Sequence, residues 1–78
     1  MVDASKIKEH MAVFAADGEH VGTVDHMEGG SKIKLAKSDP MAHGHHHLIP
    51  MAWVHSVDQH VRLFKSSTEV RSAWEHVA

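Results

Sequence analysis

Residues 11–27 read MAVFAADGEHVGTVDHM, and the fold turns on how this stretch is parsed. Residues 11–16 alternate, with Met11, Val13 and Ala15 on one side and Ala12, Phe14 and Ala16 on the other. A period of two belongs to a strand with one buried face. Asp17-Gly18 then signals a turn, because glycine accepts positive φ and aspartate bonds nearby backbone. The returning residues 20–27 break strict alternation, since Val21 and Val24 are out of phase. A bulge near Gly22 brings both valines to one face. The stretch is therefore two short strands joined by a turn.

The same grammar extends outward. Glu28-Gly29-Gly30-Ser31 makes the next turn, and KIKLAK at 32–37 alternates Ile33 and Leu35 against Lys32 and Lys34. SDPMAHG at 38–44 is a loop by its Asp-Pro and Gly content. HHLI at 46–49 is a short strand, and Pro50 opens one tight turn in PMAWV. Residues 54–57 and HVRLF at 60–64 supply two more strands, separated by Asp58-Gln59. The period then changes. Val70, Ala73, Trp74 and Val77 stand at i, i+3, i+4 and i+7, one face of a helix. Ser66 and Glu69 have capping-box spacing, so a terminal helix is expected from about Ser67 to His76. DASKIKEH at the start allows one helical turn anchored by Ile7.

These elements predict a mainly β domain over residues 1–78, a small antiparallel β-barrel of five to six short strands with a C-terminal α-helix. Closure is favoured because it removes exposed edges. The expected core is Met11, Val13, Val21, Ile33, Leu35, Ile49, Val54, Val61 and Leu63, with Trp53 and Trp74 closing the ends.

Composition limits the function classes. The chain has 78 residues and no cysteine, so neither a disulfide nor a thiolate zinc site can staple it. A domain this small buries only about 60% of its unfolded surface, which makes self-association a route to stability. Eight basic against ten acidic side chains, a formal charge of −2, do not advertise a nucleic-acid or anionic-membrane partner. No apolar run approaches the roughly 18 residues of a membrane span. The first ten residues lack the apolar segment of a signal peptide. A cytoplasmic homo-oligomer is the expectation.

Asp17-Gly18 with Val21-Gly22, and later Ile49-Pro50 with Trp53-Val54, resemble the PRC-barrel pattern of strand, D-G-x-x-[IV]-G turn, strand and I-P-x-x-[WA]-V. The chain also resembles a bacterial family of small single-domain proteins of unknown function related to the PRC-barrel. The resemblance covers residues 7–65. It implies a compact β-barrel acting as an interaction module, as PRC-barrels do in photosynthetic reaction-centre H subunits and ribosome maturation factors. It supplies no catalytic residues.

The chemistry is concentrated in MAHGHHHLIP at 41–50, which holds four of the ten histidines. On a strand His45 and His47 share a face while His46 points the other way. Imidazole suits zinc, nickel or copper. Two ligands are not a full site, so His43 on the preceding loop, or an aspartate from elsewhere, is the candidate third. The alternative is that these imidazoles cover a polar barrel end or a subunit interface. Catalytic signatures are absent: there is no G-x-S-x-G elbow or H-E-x-x-H helix. Asp25-His26 has the composition of an acid–base pair, but strand neighbours face opposite ways. Gly29-Gly30 lacks P-loop lysine spacing. Trp74 and Val70, on the apolar helix stripe, are candidate contacts to a partner subunit. The preferred expectation is a non-enzymatic module that self-associates or binds a protein. The alternative is a metal- or pH-responsive binding protein using residues 43–47.

Overall fold

The computed structural model describes residues 4–77, apart from the Met41 side chain. Seven strands lie in one sheet: β1 (Ala12–Phe14), β2 (His20–Glu28), β3 (Lys32–Leu35), β4 (His46–Pro50), β5 (Val54–Val57), β6 (Val61–Leu63) and β7 (Glu75–Val77). Their order is β5-β6-β1-β2-β3-β4-β7, with β5 and β7 at the two ends. The sheet is not closed, and the strands number seven where five to six were expected. Neighbours are antiparallel except β1 and β6, which run parallel with Val13 beside Val61.

The out-of-phase valines are resolved by bulges. Val13 pairs with Gly22 and Phe14 with His20, so Val21 is the extra residue. A second irregularity leaves out Asp25, between the pairs Val24–Leu35 and His26–Lys34. Both Val21 and Val24 thereby reach the core. Gly22 leaves room for the core: a Cβ there would stand 3.0 Å from Leu35 Cδ1, so that Leu35 would have to give way by a few tenths of an ångström. Gly18 is needed for conformation, with φ of 87° in the turn. Asp17 in the same turn accepts hydrogen bonds from the Ser67 amide at 3.1 Å and the Ser67 hydroxyl at 2.8 Å. The β1–β2 turn is thus tied to the start of the helix.

That helix, α1, spans Ser67–Ala73 and carries the expected capping box. The Glu69 amide donates to Ser66 Oγ at 3.2 Å, and the Ser66 amide donates to Glu69 Oε1 at 2.9 Å. Ser66→Ala removes one half of this exchange. Its melting temperature is expected to fall by about 5 °C, read by circular dichroism against wild type.

The helix ends three residues earlier than expected at His76. Trp74 is its C-cap in extended conformation, and residues 75–77 become β7 along the free edge of β4. Two competitors overcome the helical period: backbone pairing with β4 and stacking of Trp74 on His47. Ala73, assigned to the apolar face, is exposed. Val77 sits on β7 opposite His46.

The core matches the expected set at Val13, Val21, Ile33, Leu35, Ile49, Val54, Val61 and Leu63. Ile7, Ala15, Val24 and Val70 join it. Met11, Trp53 and Trp74 only pack against its margin. One polar ring, His47, lies among the fully buried side chains. No helix among the described residues is long and apolar enough to cross a membrane.

Candidate histidine site

β4 carries alternate residues to opposite faces, and its inward pair is His47 and Ile49. His47 is 1% exposed. Its ring lies flat on the Trp74 indole, 3.9 Å between centroids and 19° between planes. The register of β4 and β7 sets His76 directly opposite His47, and their rings are 4.5 Å apart. His45, just before β4, meets the His76 ring edge-on at 5.8 Å. Burial pushes the His47 pKa down from the ordinary imidazole value, and the neighbouring imidazoles of His76, His45, His43 and His46 add to the push. The neutral ring therefore dominates at neutral pH. Its Nδ1 is buried without a hydrogen-bond partner. A buried polar atom left unpaired costs about 1–3 kcal/mol.

The expected trio is thus divided. His45 lies one residue before β4 and is exposed, while His47 is buried, and both neighbour the His76 ring. His43 is exposed on the loop with φ of 52°, and the neighbour brought to the pair is His76 instead. Among the described residues, no three donors already converge on one point fit for a metal ion. His46 faces the other way, as expected, with its Nδ1 donating to the Leu35 carbonyl at 3.0 Å. Its Nδ1 is 3.9 Å from the Asp25 carboxylate. Val70 is 0% exposed. Its assignment as a subunit contact is corrected on that ground, because the whole side chain is used by its own core. Trp74 remains half-buried.

The loop that delivers these histidines is clamped to β2. Asp39, buried beneath it, accepts through Oδ2 from Thr23 Oγ1 at 2.6 Å, and His20 Nε2 lies 2.6 Å from the same oxygen. The Asp39 carbonyl accepts from the Ala42 amide at 2.9 Å, which shapes the 3₁₀ turn Pro40–Ala42. The loop is therefore held at its acidic end while the histidines lie at the other.

A second surface lies around β6. Phe64 is 63% exposed, the only large hydrophobic side chain so exposed among the described residues. His55 meets its ring edge-on at 4.9 Å. Beside them is an open cleft of about 280 Å³, lined by Ala15, Ala16, Gly18, His55, Arg62, Leu63 and Phe64.

Three elements of these sites were missed in the sequence. His76 was hidden by the helical period of residues 70–77, although Glu75-His76-Val77 after a C-cap suits an edge strand. Phe64 was counted only as a strand residue, although the period of two that buries Val61 and Leu63 puts it on the outer face with Arg62. The His20–Asp39 contact joins a strand to a loop across 19 residues, and no local pattern announces it.

No curated protein and no solved structure matches the chain. Its residues 7–71 match a family described as uncharacterized proteins conserved in bacteria, DUF2171. That match spans six of the seven strands and the first five residues of α1, and the chain belongs to this bacterial family.

Proposed function

We propose that the chain is a non-enzymatic interaction module that self-associates. The observation that carries this reading is Phe64, left 63% exposed beside an open cleft. A small core with no crosslink gains from covering such a residue. The apolar floor of Ala15, Ala16 and Leu63 next to it suits an aromatic side chain of a second copy. Trp74, half-buried at the margin of the core, is a further candidate contact. The PRC-barrel likeness of the turn and I-P-x-x-W-V elements, with its interaction-module role, belongs to the same proposal, as does a cytoplasmic location.

Sedimentation of the wild type at micromolar concentration is expected to show a dimer or larger species. Phe64→Ser is expected to shift it to monomer, with an unchanged circular dichroism spectrum. A wild type that stays monomeric throughout that range overturns the proposal.

A second reading is favoured by one feature. A metal- or pH-responsive binding protein accounts for a buried imidazole with an unpartnered Nδ1 amid other histidines.

A further inference from the structure

We propose that His45, His47 and His76 are the protein ligands of a single divalent transition-metal ion of the zinc, nickel or copper class, with Trp74 as its apolar wall. The proposal rests on the second reading above and gives it a ligand set.

Strand geometry brings the three residues together. Residues two apart on a strand share a face, and directly opposed residues on antiparallel strands have Cβ atoms about 4.5–5.5 Å apart. His47 and His76 are the second kind of pair, and His45, one residue before β4, reaches the same place with its ring 5.8 Å from that of His76. A ring of three imidazoles around zinc, with Zn–N near 2.0–2.1 Å, places ring centroids about 5 Å from one another. The observed separations of 4.5 Å for His47–His76 and 5.8 Å for His45–His76 bracket that figure. The donors do not yet converge, but His45 and His76 are both exposed, one at a loop end and one on an edge strand. Side-chain rotation at such positions is cheap. The buried member, His47, is already fixed by its Trp74 stack.

Chemistry selects these three over their neighbours. The His47 Nδ1 has no hydrogen-bond partner, and in the tautomer protonated at Nε2 a metal bound there would relieve that cost. His46 has its Nδ1 engaged by Leu35 and lies on the opposite face. His43 makes no ring contact with the cluster among the described contacts. Glu75 of β7 is paired with Lys32 at 2.9 Å. Three nitrogens with no carboxylate leave a fourth position for water or a ligand, the arrangement of an open zinc site. The all-nitrogen set favours zinc, nickel or copper over magnesium or calcium.

The test uses chelator-stripped full chain and free metal salts. Zinc chloride is titrated by calorimetry. Copper(II) chloride is titrated by tryptophan fluorescence in a Trp53→Phe background, so that Trp74 alone reports. One equivalent with saturable quenching of Trp74 is expected. His45→Ala and His76→Ala, both at exposed positions, should each weaken binding by at least about tenfold. His43→Ala should leave affinity within about twofold, as expected of a residue outside the metal's ligand set. Circular dichroism of each variant shows that the fold is kept. If His43→Ala weakens binding while His76→Ala does not, the metal sits on the loop, which sinks this ligand set but keeps the metal reading. If neither metal gives a saturable equivalent, both fail.

Discussion

Ile33→Ala is expected to lower the melting temperature by about 10–30 °C, the largest change for any single core truncation in this chain. Ile33 lies at the centre of β3, paired with Met27 on one side and Ile49 on the other, and is 0% exposed. Truncating it removes three carbons and leaves a cavity that neighbours held in two ladders cannot fill. Such changes cost about 2–5 kcal/mol. A chain of this size has a net stability of only about 4–12 kcal/mol, and each kcal/mol is worth about 4–8 °C. The consequence reaches the surface. β3 carries β2 with the Asp39 clamp on one edge and β4 with its histidines on the other, so loosening it loosens both. Ile33→Val should cost only about 0.5–1.5 kcal/mol, and Lys37→Ala, on an exposed loop, less than about 0.5 kcal/mol. Urea unfolding of the three variants checks the order. An Ile33→Ala protein as stable as Lys37→Ala would mean that β3 is not the keystone of the core.

What could be read in the sequence was whatever is local. Alternation at Met11–Ala16 and Lys32–Leu35 reports one-sided burial within a strand, and it holds. The bulge near Gly22 was legible because Val21 and Val24 cannot both be buried without it. The Ser66–Glu69 cap is a three-residue exchange and needs no tertiary context. Three features are non-local and stayed hidden. The parallel pairing of Val13 with Val61 joins opposite ends of the chain. The contact of His20 with Asp39 depends on how a loop folds back. The third is β7. Residues 70–77 have a genuine helical period, but β4 presents an unpaired edge and a flat imidazole. Trp74 leaves the helix to stack there, and Glu75–Val77 follow it into the sheet. The same event decides the candidate site. His45 and His47 were placed on one face by strand parity alone, but the third member arrives only with β7, so a reading that kept the helix had to look to His43.

In EDTA, the wild type is expected to lose stability between pH 8 and pH 5.5 more steeply than His47→Leu. His47 has its folded pKa depressed, first by burial and then by the imidazoles of His76, His45, His43 and His46. The unfolded chain regains an ordinary imidazole near ~6.5. Above that value neither state binds the proton, and the contribution to stability is complete. As the pH falls below it, the unfolded chain takes up a proton that the folded chain refuses. Stability is then lost, with a slope approaching about 1.4 kcal/mol per pH unit for one such group. The loss levels off only once the folded pKa is reached. The groups facing His47 give no relief, since the imidazoles of His76, His45, His43 and His46 push its pKa down further, while Glu75 is held by Lys32. The histidines outside this cluster are common to both proteins and cancel in the comparison. Opening should begin where the ring is held, at the Trp74 stack and the β4–β7 ladder, because β7 is a three-residue edge strand. Trp74 emission in the Trp53→Phe background should therefore change at a higher pH than global circular dichroism. Parallel pH profiles for wild type and His47→Leu would show that the buried imidazole is not what acid attacks.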